Sequence, residues 1–185
     1  MPNTGVENMF GQSKQNYTNH LTVGYVTRIF VRVRDRTGWV ASIVGVELAV
    51  GQGAKPGTGG LLLGMKVSER VAAMRSLPEG VDQRSTVRHP DFLGADDMQV
   101  KIEELREATN YQIPIFLKMG ATRPRYDVAI AAKAGADVIV VDGAEGGTGA
   151  SPELLLNHTG IPLISAIRAA REALDDCGKT DEVSL

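Results

Sequence analysis

The chain has 185 residues, with 20 basic and 22 acidic side chains and a formal net charge of −2, too little positive excess for a dedicated nucleic-acid binder. A hydrophobic share of 43% supports a real core and excludes a wholly disordered chain. No apolar run approaches the ~18–20 residues of a membrane span, and Met1 to Asn8 lacks the basic patch and apolar core of a signal peptide.

Residues 1–20 are polar, without an apolar period, and read as a loose arm. Residues 25–34 alternate: Ile29, Val31 and Val33 fall on one face of a strand and Arg28, Arg32 and Arg34 on the other. The arginines suit a solvated face or a phosphate or RNA site. Residues 39–50 are an apolar run, expected to be a strand buried on both faces in a parallel sheet. The glycine-rich loop GQGAKPGTGG (51–60) follows, then a short helix over 66–76 with Val67, Val71 and Met74 on one side. Residues 77–95 read as a long irregular connection, the kind of loop that is functional or mobile. It carries Arg84, Arg88, His89 and Asp91.

A helix follows, capped by Asp96 or Asp97, with Met98, Ile102 and Leu105 at helical spacing. IPIFLKM (113–119) is a strand, residues 124–135 a helix from Pro124 to Gly135, and ADVIVVDG (136–143) a second strand. A second glycine loop (143–152), a short helix (152–158) and a longer one (163–178) come next. The last residues, DEVSL, begin another strand. Cys177 is the single cysteine, so no internal disulfide, structural zinc site or iron–sulfur cluster can form within the chain, and a reducing, cytoplasmic setting is expected.

Strands alternating with helices give an α/β class with a parallel sheet. The pattern fits an open doubly wound sheet or part of a (β/α)8 barrel. In both, function sits on loops after the strands' C-terminal ends, here 51–60, 119–123 and 143–151. About four strand–helix units are present against the eight of a barrel, so a partial TIM barrel is expected. Residues 1–38 are set apart as an arm and residues 39–185 as the domain.

The first glycine loop has no nucleophile but has Gln52, Lys55 and free backbone N–H groups, which suit a carboxylate or phosphate. It is neither a Walker A loop nor G-x-G-x-x-G. A flexible connection is the alternative. Lys118, near the end of an apolar strand, either snorkels to the rim or meets an anionic or electron-rich cofactor. In the second loop, Gly146, Gly147 and Thr148 form either a tight turn or a backbone surface against a flat ligand. Asp142 and Glu145 are weak evidence for magnesium. Arg123 and Arg125 flank a helix start, where cations oppose the dipole and hint at a nearby anion. His20 and His158 have no supporting constellation.

GQGAKPGTGG, KVSERVAAMRSLPEGV, HPDFLGADDM, PIFLKMG and ADVIVVDGAEGGTGASP occur in this order, from about Gly45 to Asp181. Together they resemble the FMN-binding synthase domain of the glutamate synthase family, with the nearest likeness to stand-alone members, including an N-methylglutamate synthase subunit. The resemblance implies a (β/α)8 barrel with FMN at its C-terminal face and reductive amination of 2-oxoglutarate by ammonia or an amine. It implies that Gln52 and Lys55 lie over substrate and flavin, that Lys118 approaches the flavin ring, and that Gly146, Gly147 and Thr148 line the cofactor. Lys55 and Lys118 are the candidate catalytic residues. Residues 1–43 do not match the family's preceding strands, and no cysteine follows Met1, so no amidotransferase head is expected. The resemblance implies that the family's last two strands bind the FMN phosphate; they are not expected within these 185 residues, so the resemblance is incomplete at both ends. Implied partners are an electron-donor or amidotransferase subunit and further copies of the chain, with no nucleic acid and no membrane. The other readings are a non-catalytic fragment that needs a partner or missing strands, the N-methylglutamate synthase subunit itself, and a different (β/α) enzyme for a phosphorylated metabolite.

Overall fold

In the computed structural model the described residues are 26–34, 40–56, 60–75, 77–84 and 93–185. Strand β1 (Val26–Arg34) pairs antiparallel with β2 (Val40–Ala49). Phe30 faces Gly45 and Val31 faces Ile43, so the register shifts and Val44 is the extra residue of a bulge. The expectation that residues 39–50 form a wholly parallel strand is therefore corrected. Only the other edge of β2 is parallel, where Val46 to Ala49 pair with Ile115 to Lys118. A hairpin strand and a buried parallel strand share the same apolar composition, which is why the run alone did not separate them. The side chains of β1 lie outside the described residues, as do the arm and Arg88, His89 and Asp91.

The segment after β2 carries β3 (Leu61–Leu62), a 3-10 turn (Gly64–Lys66) and helix α1 (Glu69–Arg75). Within the expected irregular connection, β4 (Gln83–Arg84) pairs antiparallel with β3. Asp82 Oδ1 accepts from Gly64 N at 2.6 Å and Gly80 N donates to Val67 O at 3.1 Å. Two residues per strand are too few to leave a period in the sequence. Val67 is buried ahead of α1, and Val71 and Met74 are half-buried within it.

Helix α2 (Ala95–Ala108) starts from Gly94, not from a capping Asp96 or Asp97. Both acids stand in the first turn, where they suit the dipole, and Asp97 Oδ2 accepts from Leu93 N at 3.0 Å instead. Ile102 is fully buried, with Met98 and Leu105 packed beside the core, as their spacing predicts. Strand β5 (Ile115–Gly120), helix α3 (Pro124–Lys133) and strand β6 (Val138–Asp142) then form a βαβ unit. Helix α4 (Glu153–His158) is short, and α5 (Leu163–Asp176) packs on α3. After α5 the chain returns to the sheet, where Ser184 makes a single parallel bridge to Val138; the expected further strand is seen only as that bridge.

The four-stranded sheet has the order β1-β2-β5-β6. Alternation along β5 decides its two faces. Ile115, Leu117 and Met119 are buried, and with Val46, Leu48 and Ile139 they meet Ile102, Val128, Ala170 and Leu174 from the helices. The opposite face carries Glu47, Phe116, Lys118, Val138, Val140 and Asp142, related by the strand register. The class is thus mixed α/β with parallel strands, as expected. Among the described residues the sheet is open and its β1 edge antiparallel, so the mixed α/β expectation is met and a partial barrel is not shown.

One polar knot ties the helix layer to the sheet. Asp137 Oδ2 accepts from Ile115 N at 2.7 Å and Oδ1 from Arg106 Nη2 at 2.8 Å, while Arg106 also donates to Gly135 O at 2.6 Å. Asp137→Ala leaves the Ile115 N–H and the Arg106 guanidinium without these acceptors. It is expected to lower unfolding stability by about 1–3 kcal/mol, read from the urea midpoint. A shift below about 0.3 kcal/mol would show that water replaces the carboxylate without loss.

Candidate active site

Because β2, β5 and β6 run parallel, their C-terminal ends share one edge, and the following loops meet there. The two glycine clusters come into direct backbone contact. Ala54 N donates to Gly146 O at 2.9 Å, and Gly53 N donates to Asp142 Oδ2 at 3.1 Å. Ser151 Oγ donates to Ala54 O. The first loop is turned by Lys55 N donating to Gln52 O at 3.0 Å, and the second by Gly146 N donating to Gly143 O at 2.8 Å.

This approach explains the glycine at position 53. A Cβ there would stand 1.6 Å from Gly143 O, which no side chain can tolerate. At Gly147 two demands coincide. Its φ is +81°, and a Cβ would stand 2.6 Å from Gln52 Oε1 and 2.9 Å from Lys55 Cε. The side chains of Gln52 and Lys55 therefore lie against the second loop. What crowds Gly146 and Gly147 is protein: the Asp142 carboxylate for the first, Gln52 and Lys55 for the second. Thr148, exposed at the start of a 3-10 turn (Thr148–Ala150), leaves the backbone beyond it open.

Lys118 stands on the face of β5 opposite the described helices, its side chain 13% exposed, with Nζ 3.6 Å from Asp142 Oδ2. Of the two sequence alternatives, the rim-seeking one does not describe it, because the ammonium turns to a carboxylate on the neighbouring strand. Lys55 is half-buried close by. Burial pushes its ammonium below the ordinary lysine range; the Asp142 carboxylate opposes this and the Lys118 charge adds to it. Gln52, Lys55, Lys118, Gly146 and Gly147 are thus gathered at one place, with Thr148 at its margin. Asp142, noted in the sequence only for a magnesium reading, proves to be the group they share. No spacing rule could have found it, since its partners lie 89 and 24 residues away in the chain.

Other expectations separate from this site. Asp142 and Glu145 do not converge: Glu145 accepts from Leu163 N at the start of α5, at 3.2 Å from Oε2. Among the described residues no group of three or more His, Cys, Asp and Glu side chains could hold a metal ion. The anions near Arg123 and Arg125 are the chain's own, Asp127 at 3.3 Å for the first and Glu172 and Asp176 for the second, at 2.9 and 2.5 Å. His158 is exposed at the end of α4. No helix among the described residues is long and apolar enough to cross a membrane.

Residues 35–185 match the profile of a protein family described as "Conserved region in glutamate synthase". The match begins upstream of Gly45, where the motif likeness starts. Over 140 residues the chain is 54% identical to the "Glutamate synthase large subunit-like protein" of Rhizobium meliloti (strain 1021), covering 76% of this chain and 32% of that protein. Over 141 residues it is 40% identical to an "Archaeal glutamate synthase" (NADPH) of Methanocaldococcus jannaschii, covering 76% and 28%. It is 38% identical over 141 residues to the glutamate synthase (NADPH) large chain of Bacillus subtilis (strain 168), 9% of which is covered. The chain spans about a third or less of the length of these curated relatives.

Proposed function

The chain belongs to the glutamate synthase family, and from that premise we propose that its clasped glycine loops form the FMN- and 2-oxoglutarate-facing part of a (β/α)8 barrel for reductive amination. The observation that carries this reading is the meeting of Lys55 and Lys118 around one carboxylate, at the C-terminal edge of parallel strands. Two ammonium groups against one carboxylate leave a local excess of positive charge, which suits a dicarboxylate or an electron-rich ring. Among the described residues the helices of the core cover one face of the sheet, which supports a barrel wall over a doubly wound sheet.

The residues fit FMN in chemistry. Lys118, Gln52 and the open backbone at Thr148 and Gly149 would hold it, while Gly146 and Gly147 let Asp142, Gln52 and Lys55 pack against the second loop. When bound, FMN supplies hydride transfer to an imine. The chain's own groups do the rest. Lys55 and Lys118 bind and orient the carboxylates of 2-oxoglutarate. Ammonia adds to the keto carbon, and loss of water from that adduct needs a proton on the leaving hydroxyl. Lys55 Nζ, held below its ordinary range, can give that proton and regain one from solvent. NADPH is named for the archaeal and Bacillus relatives. For this chain the reading calls for an electron-donor subunit, an amidotransferase subunit as ammonia source, and a cytoplasmic setting.

The test is the absorption spectrum of the purified chain after FMN is added and the excess removed by gel filtration. Retained flavin absorbance is expected, with Lys118→Ala weakening flavin affinity about tenfold. Unchanged affinity in that variant removes the role given to Lys118. Binding of 2-oxoglutarate is expected to weaken as pH rises, because Lys55 loses its proton at lower pH than an ordinary lysine. Turnover with methylamine in preference to ammonia would select the N-methylglutamate synthase reading. A second reading, a domain that binds these ligands only with a partner chain, is favoured by the half-buried Val138 and Val140 on the face opposite the described helices. Flavin retained only in a complex would establish it.

A further inference from the structure

We propose that Asp142 is the positioning residue of this site: a single carboxylate oxygen fixes the first glycine loop and holds Lys118, so that Lys55 and Lys118 are presented as a pair. The inference rests on the reading of the site given above and adds a residue to it. Three observations carry it. Asp142 Oδ2 accepts from Gly53 N at 3.1 Å and stands 3.6 Å from Lys118 Nζ, so one atom links the loop after β2 to strand β5. The loop after β6 is shaped around the same group: a Cβ at Gly146 would lie 2.3 Å from both Asp142 oxygens. The side chain is only 20% exposed and the Lys118 side chain 13%, so water screens the pair weakly.

The charge balance gives the arrangement its purpose. Two lysines brought close on a partly buried surface repel, and the Lys118 charge adds to what burial does to the Lys55 ammonium. The Asp142 carboxylate opposes both effects at Lys55 while it pairs with Lys118. The backbone bond from Gly53 makes this geometric as well as electrostatic, because Lys55 follows Gly53 by two residues and moves with it. Asp142 touches neither substrate nor flavin in this role. It acts through the two lysines and the loop.

Asp142→Asn and Asp142→Ala in the full 185-residue chain separate the two contributions. Asparagine keeps an oxygen acceptor for Gly53 N and removes the charge; alanine removes both. Amide hydrogen exchange at Gly53 is expected to stay within about threefold of the parent in Asp142→Asn and to accelerate about tenfold or more in Asp142→Ala. The titration of Lys55, followed by NMR of lysine labelled at Cε, is expected to move to lower pH in Asp142→Asn. These readings need no bound ligand, so they test Asp142 whether or not the flavin reading holds. FMN and 2-oxoglutarate titrations of the same proteins then test that reading, and both affinities are expected to fall about tenfold in Asp142→Asn. A merely structural carboxylate would lower the melting temperature and leave the Lys55 titration unmoved in Asp142→Asn. That result, or unchanged Gly53 exchange in Asp142→Ala, overturns the proposal. If Asp142→Ala does not fold, the Lys55 titration in Asp142→Asn decides alone.

Discussion

Gly53→Ala is expected to separate the two glycine loops and to weaken 2-oxoglutarate and FMN binding by more than about tenfold. A methyl group 1.6 Å from Gly143 O meets backbone, not a side chain that can swing away. The first loop must lift, and with it go the Gly53 N–Asp142 and Ala54 N–Gly146 bonds and the placement of Lys55. Overpacking of this kind costs about 1–3 kcal/mol where structure can shift to relieve it. The core lies on the other face of the sheet, so the chain should stay folded while binding is lost. Gly51→Ala is the control: a Cβ there meets nothing within 4 Å, and binding and stability should stay near the parent. Titration calorimetry with 2-oxoglutarate and urea unfolding on both variants make the comparison. Parent-like affinity in Gly53→Ala would show that the loop contact does not organise the site.

Leu117→Ala is expected to have the largest effect on stability, about 2–5 kcal/mol. Leu117 is fully buried on the helix-covered face, in the central pair of parallel strands, in one cluster with Leu48, Val128 and Ile139. Against a total of about 5–15 kcal/mol for a typical domain, that loss is a large fraction. Its neighbour Lys118 points to the other face, so Lys118→Ala should cost far less stability while removing a site charge. A fall in the urea midpoint at unchanged slope is the expected signature. A loss below about 1 kcal/mol would mean that the cluster around Leu117 is not the core.

The helices and strands after residue 95 were legible because each carries its own period. Ile102 and Leu105 mark α2, the alternation of Ile115, Leu117 and Met119 marks β5, and Pro124 starts α3 at its first turn. The position of both glycine loops at one sheet edge followed from parallel connectivity alone. What stayed hidden depends on partners remote in sequence. The direction of pairing between β1 and β2 depends on a connection, not on composition. The β3–β4 ribbon is too short for a period. Asp97 turned to Leu93 N because Gly94 had already taken the cap position. Arg123 and Arg125 looked like an anion site, because the carboxylates that meet Arg125 stand 47 and 51 residues further on. The pattern of the second glycine loop suits a surface for a flat ligand, and the residues that first occupy the space at Gly146 and Gly147 are Asp142, Gln52 and Lys55. Sequence pattern shows that a backbone must be approached closely and does not show by what.

The contacts that close the site span 89 residues from Gly53 to Asp142 and 97 from Ala54 to Ser151. Loop closure over such distances costs entropy that local helices do not pay. The site is therefore expected to assemble after α2, β5, α3 and β6 have docked, as one of the last events in folding. Any ligand that engages Lys55 and Lys118 together would then select the finished chain over its partly folded forms, and would slow opening of the clasp more than opening of the helices.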